Sequence, residues 1–323
     1  MKVAFKQCLI ALALTGLAMS APAQDYPNKP VKVMVGYVPG GGPDFIARIV
    51  SQKLTQILGQ PFLVENKPGA SGTIATTLVA RAPADGYMLL FADAGQLALT
   101  PHVIKGLPYD PVKDFTPVGQ VGGGAGMAIV ANAKTPIKTL QDLIREAKAN
   151  PGKISYASSG IGGIHHVAME VFKANAGVDL LHVPYNGGRQ SVKAILTGEV
   201  PVSMTGLSAV WPSIRAGSVI LLAVTSAARL DPRPDVPVLT DIYKDMDTFD
   251  SDTGFLGPAG LPPEMVAKLS KAIKQATESP DFVASIKKLG QSILFSTPEG
   301  FGETIHRNLK RYEQLVRMAN IQG

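Results

Sequence analysis

One cysteine, Cys8, and one tryptophan, Trp211, occur in the 323 residues, and aromatic residues make up only 6% of the chain. Cys8 lies in an N-terminal stretch laid out like an export signal. Lys2 and Lys6 come first, an apolar run covers 8–19, and Ala21-Pro22-Ala23 supplies small residues where a signal peptidase reads. This layout predicts cleavage before Gln24, with residues 1–23 as signal peptide and a periplasmic mature chain free of cysteine. Such a chain has neither a disulfide nor a thiol nucleophile and must hold together through its core. The apolar run is shorter than the roughly 20 residues that cross a bilayer, and no later segment is a spanning candidate. Cys8 opens that run and does not follow it, a poor position for lipid attachment.

Other signatures are missing too. There is no H-E-x-x-H and no cysteine cluster, so no metal site is expected. His102, His182 and His306 are isolated, while His165 and His166, adjacent on a helix, point about 100° apart and cannot share one metal. No G-x-S-x-G elbow marks a hydrolase, and neither nucleotide-binding glycine signature occurs. No cofactor is therefore expected, and no catalytic set assembles in the sequence. Charge is modestly positive, with 31 Lys and Arg against 25 Asp and Glu and no run of like charges. That balance argues weakly for anionic ligands and gives no support for nucleic acid. Asp110 and Asp114 read as turn or cap residues, and Trp211, beside Val210 and Ile214, as core or hinge packing.

What is present is an alternation of short β-branched runs and helical stretches, the pattern of parallel strands flanked by helices. Strands are predicted at 31–37, 62–65 and 88–92, with helices at 43–58 and 71–82. A second series has strands at 127–131, 154–157, 181–184, 200–204 and 219–225. Its helices fall at 140–149, 163–176, 187–197 and 208–216. A Pro- and Asp-rich stretch over 231–252 precedes a strand at 254–257 and helices at 263–278, 281–289 and 298–319. The fold class is α/β, two lobes each with a mixed sheet flanked by helices. Lobe 1 comprises 24–125 and 229–323, and lobe 2, inserted into it, 126–228.

Two glycine loops carry the chemistry. Tyr37-Val38-Pro39-Gly40-Gly41-Gly42-Pro43-Asp44 follows a strand and opens a helix, and Ser158-Ser159-Gly160-Ile161-Gly162-Gly163 repeats the arrangement in the second series. Free amides at a helix start attract anions, and glycine lets a ligand approach the main chain. Two such openings across a cleft would trap a small acid. A tight strand-to-helix turn without a ligand accounts for the first loop equally well.

An ordered set of motifs resembles one family. Tyr26-Pro27-Asn28-Lys29-Pro30, the Pro39 loop with Asp44, Val64-Glu65-Asn66-Lys67-Pro68-Gly69-Ala70 and Pro83-Ala84-Asp85-Gly86-Tyr87 come first. Leu107-Pro108-Tyr109-Asp110-Pro111, Asp114-Phe115-Thr116-Pro117, Tyr156-Ala157-Ser158-Ser159-Gly160, Val183-Pro184-Tyr185, Ile214-Arg215-Ala216-Gly217 and Pro258-Ala259-Gly260 follow. Each alone is weak; together they resemble the Bug (TctC-type) periplasmic receptors of tripartite tricarboxylate transporters over nearly the whole mature chain.

The resemblance implies a Venus-flytrap, periplasmic-binding-protein fold that closes on a carboxylate-bearing ligand. Carried over by position, ligand contacts fall on Tyr37, Pro39, Gly40, Gly41 and Asp44, and on Ser158, Gly162, Gly163, His166 and Tyr185. Asp44 is as well suited to a helix start as to an anion. Against the family's usual residues, Asp93 and Ala94 stand in a strand-end loop that is commonly small and hydroxylated. Thr205 replaces an aspartate, Gly163 a serine, Asn186 a lysine, and Asp252 with Thr253 an aromatic pair. An Asp93 lining the cleft would favour a ligand bearing a donor or a cationic group, such as an amino acid or N-heterocyclic acid. The expected partners are a small organic acid or amino-acid-like ligand and TctA- and TctB-like membrane subunits, with the receptor itself a monomer. A sensor feeding a membrane signalling protein, or an exported hydrolase or lyase, is the alternative.

Overall fold

The structure, a computed structural model, describes residues 26–122, 126–225, 230, 233–246, 249, 252–288, 294–319 and 321. The expected signal peptide lies outside the described residues.

The chain forms two five-stranded mixed sheets. In the first, β1 (Val31–Val35) pairs in parallel with β2 (Phe62–Asn66) and β3 (Met88–Asp93). The late strand β10 (Thr253–Pro258) runs antiparallel between β3 and β4 (Phe115–Gly122). The second sheet repeats this plan. Here β6 (Ser155–Ser158) pairs in parallel with β7 (Leu181–Pro184) and β8 (Val202–Gly206), and β5 (Met127–Asn132) runs antiparallel between β8 and β9 (Val219–Val224).

Strand alternation sends side chains to two faces. Val31, Val33, Val35, Leu89, Phe91 and Phe255 meet Ile46, Val50 and Leu54 of α1 (Gly42–Leu58). Leu269 and Ile273 of α9 (Pro263–Thr277) complete that layer. On the opposite face Met34, Leu90 and Leu256 meet Ala75 and Val79 of α2 (Thr73–Ala80). The second sheet is covered likewise by α4 (Leu140–Ala149) and α5 (Ile164–Ala176) on one face and by α6 (Gly188–Thr197) and α7 (Leu207–Arg215) on the other. The last helix, α11 (Pro298–Met318), straddles both units, with Phe301 and Ile305 in the first core and Tyr312, Leu315 and Val316 in the second.

Three segments differ from the sequence-based expectation. The segment 115–122, where no strand was expected, is the edge strand β4; Pro117 fits there because an edge strand need not donate on both sides. After β3 the chain coils through a wide turn at Gly95–Leu99 into α3 (Thr100–Val103), past the strand-end loop expected at Asp93 and Ala94 and where no helix was expected. The stretch 231–252 holds the short helix α8 (Leu239–Ile242). Beyond the expected division at residue 229 the chain still packs on the second sheet. Val236, Val238, Leu239, Met246 and Phe249 are buried among second-sheet residues, and the chain rejoins the first sheet at Thr253. The remaining helix, α10 (Pro280–Lys288), follows α9.

Candidate ligand-binding cleft

In both sheets every parallel strand ends in a loop that opens a helix, so these loops gather at one end of each sheet, where α/β proteins bind ligands. The helices that start there share one feature. The residues preceding α1, α2, α5, α6 and α7 are Gly41, Gly72, Gly163, Gly187 and Gly206, and none receives a side-chain cap. By contrast α4 begins with a full capping box, Thr139 with Asp142, and α11 with Thr297 accepting from the Gly300 amide. First-turn amides without an intrahelical partner are therefore left for something other than the protein's own side chains.

The first loop is braced by ions. The buried Asp44 carboxylate accepts from the Gly40 amide at 2.7 Å and Arg48 Nε at 3.0 Å through one oxygen, and from Asn66 Nδ2 at 2.7 Å through the other. Asn66 also donates to the Tyr37 carbonyl and accepts from Arg48. Burial opposes ionisation of Asp44, but Arg48, the Gly40 amide and Asn66 outweigh it and hold the carboxyl below its usual range. Asp44 thus shapes the loop rather than facing a ligand, and the Gly40 amide is spent on it. Gly40 itself has φ +77°, a left-handed value that favours glycine.

The second loop is braced by neutral groups. The Gly162 amide donates to His166 Nδ1 at 3.0 Å, which requires that nitrogen to be unprotonated. His166 stacks on His182 at 3.9 Å and 10°, and His182 stacks in turn on Tyr156 at 4.9 Å. His182 Nε2 meets the Ser158 hydroxyl at 2.6 Å, and His165 Nδ1 meets that of Ser159 at 2.6 Å. Burial lowers all three imidazoles, pushing His165 and His182 down to about 4. Ser158 is fully buried, and its oxygen also takes the Gly160 amide, so it supports the turn from within. Gly163 donates its own amide to the Gly160 carbonyl.

Across the cleft the lobes touch. Arg189 Nη1, at the start of α6, donates to the Pro39 carbonyl at 2.9 Å. A methyl group on Gly162 would lie 2.3 Å from Val103 Cγ1, one on Gly42 would lie 3.4 Å from Ser208 Oγ, and one on Gly95 3.7 Å from Ile164 Cβ. The loops at 39–42, 95, 162–164, 189 and 208 therefore face one another.

The other expected contacts are placed unevenly. Asp93 closes β3 and accepts from Tyr37 Oη at 2.5 Å, so these two do meet. Ala94 is buried and its amide donates to the Asp252 carbonyl. The Asp252 carboxylate is occupied by Gln120 Nε2 and Asn308 Nδ2, which ties β4 and α11 together instead of lining the cleft. Tyr185 donates its phenol to exposed Glu199 at 2.8 Å, away from the loop, while its backbone amide holds the Ser158 carbonyl. Thr205 is buried with its hydroxyl unpartnered. Sequence reasoning missed Asn66, Arg48, Arg189 and His182, whose roles rest on contacts between distant segments. Among the described residues no group of three His, Cys, Asp or Glu side chains could hold a metal.

Two sheets of one plan, joined side by side with glycine-capped helix starts between them, define a two-lobed solute-binding protein. The chain belongs to the tripartite tricarboxylate transporter receptor family, whose model matches residues 46–321. The protein BugT of Bordetella pertussis is 30% identical over 95% of this chain and 94% of its own length. Among solved structures, the periplasmic binding protein BugD is 32% identical, with a TM-score of 0.84 over 92% of this chain and 99% of that one. R. palustris Rpa4515, solved with adipate, is 28% identical, with a TM-score of 0.86 over the same shares. The chain is thus a solute-binding receptor for a transporter of this kind.

Proposed function

We propose that this receptor captures a small carboxylate-bearing solute in the periplasm, holds it between the first turns of α1 and α5, and presents the closed form to the membrane subunits of its transporter. The observation that carries this reading is the contrast in capping. The α1 and α5 helices start on glycine with no side-chain cap, as α2, α6 and α7 do at the same sheet ends. Of the helices that start elsewhere, α4 and α11 are capped by threonine, while α8 and α9 begin uncapped on Val238 and Pro262 rather than on glycine. A carboxylate placed there would accept from several amides at once and meet the positive end of two helix dipoles. The adipate in the R. palustris relative is a ligand of this chemical class. Export through cleavage at residue 23 and binding without turnover complete the proposal.

Native mass spectrometry of protein purified from the periplasm without denaturation tests it. A bound small acid is expected. Protein that carries no small molecule, and binds none of a panel of mono- and dicarboxylates, overturns it.

A further inference from the structure

The third residue of a helix commonly reaches back to an amide at the helix entry, and it is usually Glu or Gln. In α4 it is an acid, Asp142, which accepts from the Thr139 amide at 2.9 Å. In α5 that place holds His166, which reaches one residue further back and takes the Gly162 amide on Nδ1 at 3.0 Å. The exchange matters at this end of the sheet. A glutamate would set a fixed negative charge beside the first-turn amides of α5, where it would repel an anionic ligand. A neutral imidazole fixes the loop without that charge, but only while Nδ1 carries no proton.

The loop has little else to hold Gly162. Gly160 and Gly162 both sit at left-handed φ, +135° and +68°, and the Gly163 amide is spent on the Gly160 carbonyl. A methyl group on Gly162 would lie 2.3 Å from Val103 Cγ1, so any shift of this glycine is felt at the seam with the first lobe.

Charged and titratable groups come close to His166 from several elements. On α5 itself Glu170 and Lys173 follow, paired with each other at 2.9 Å. From β7 His182 stacks on the ring at 3.9 Å, and from β6 Tyr156 stacks behind His182 and donates to Glu170. Across the seam Asp93 lies beside Gly95, which faces Ile164 at the start of α5. Glu170 is thus already engaged by Lys173 and Tyr156, and Asp93 by Tyr37. Burial lowers the His166 pKa; Glu170 opposes that shift and Lys173 adds to it. Two rings stacked this closely do not both take a proton.

We propose that His166 is a positioning residue that makes ligand affinity proton-linked. With a proton on Nδ1, the imidazolium N–H and the Gly162 N–H oppose each other, the loop at 160–163 turns away, and the ligand loses the α5 half of its grip. Affinity is full above about pH 6.5 and falls on acidification, because the neutral imidazole belongs to the binding-competent form. This inference rests on the reading of the cleft as a carboxylate site.

Calorimetry on the receptor tests it, with adipate as the probe or, if adipate does not bind at pH 7, the tightest binder from a panel of mono- and dicarboxylates. The quantity read is the ratio of Kd at pH 4.5 to Kd at pH 7. Asparagine offers a carboxamide oxygen in place of Nδ1 and accepts from Gly162 at either pH. His166→Asn therefore shares any titration of the probe but not that of the brace. The ratio in the unmodified protein should exceed that in His166→Asn by about fivefold or more. His166→Gln, with a usual capping-box side chain, is the second variant if His166→Asn does not fold. Equal ratios overturn the inference and leave the carboxylate site standing, as does tighter binding at pH 4.5, where the bound anion would be drawing charge onto His166. Loss of binding at both pH values in both variants also overturns it, because the imidazole would then supply more than an acceptor for Gly162. If no acid of the panel binds the unmodified protein at pH 7, the carboxylate reading falls and this inference with it.

Discussion

The two lobes hold the same device with different chemistry. In the first, the glycine loop after β1 is pinned by a buried charge, with Asp44 gathering Gly40, Arg48 and Asn66. In the second, the equivalent loop after β6 is pinned by uncharged rings and hydroxyls, with His166, His182 and Tyr156 stacked behind it and Ser158 inside it. An ionic brace is lost when its charge is removed, and a neutral imidazole brace is lost when a proton is added. One cleft therefore has two walls that fail under different conditions.

The largest effect is expected from Asp44→Ala. Removing this carboxylate leaves the Gly40 amide, Asn66 and Arg48 without their acceptor. Because Arg48 is about half exposed, the cost should be about 2–4 kcal/mol rather than the full value of a buried pair, read by chemical denaturation. A loss below about 1 kcal/mol would erase the distinction between the walls.

Acid should act on the other wall. The three imidazoles lie below their ordinary value of 6.5, so the unfolded chain takes up protons before the folded one does. Their contribution is fully present above about pH 6.5 and is lost as pH falls toward about 4. Asp44, held below its usual range, keeps its contribution until the pH falls below about 4. Between pH 7 and 4.5 the melting temperature should drop by roughly 5 °C. Hydrogen exchange should quicken first over 158–166 while 37–44 stays protected. Equal quickening in both loops would break the comparison.

Gly162→Ala acts on the seam between the walls. Its φ of +68° disfavours alanine, and the added methyl meets Val103 across the cleft. Stability should fall by about 1 kcal/mol, but ligand affinity by about tenfold or more, because the closed state is blocked. Arg189→Ala should do least: the arginine is exposed, and losing its bond to the Pro39 carbonyl should weaken binding only a few-fold, with no change in melting.

Much of this was legible in the sequence, and the boundary has a physical cause. The alternation of strands and helices, and the glycines just after strands, are local patterns; they located nearly every element and both loops. What holds the loops is non-local. Asn66 reaches Asp44 across 22 positions, His182 reaches Ser158 across 24, and Arg189 reaches Pro39 across 150. Side-chain direction at a strand end was equally hidden, which is why Tyr185 and Asp252 looked like ligand contacts yet turn to Glu199, Gln120 and Asn308. Strand β4 escaped notice because Pro117 argues against a strand until its place at the sheet edge is known. The packing of Val236, Val238, Leu239, Met246 and Phe249 on the second sheet was masked by irregular chain whose buried apolar residues show no period.

The most direct measurement is small-angle X-ray scattering of the receptor, first freed of ligand and then saturated with the acid that co-purifies. A cleft gripped from both walls predicts a smaller radius of gyration in the loaded protein, and no such decrease in Gly162→Ala at the same acid concentration. An unchanged radius on loading the unmodified protein would contradict capture by closure between these two glycine loops.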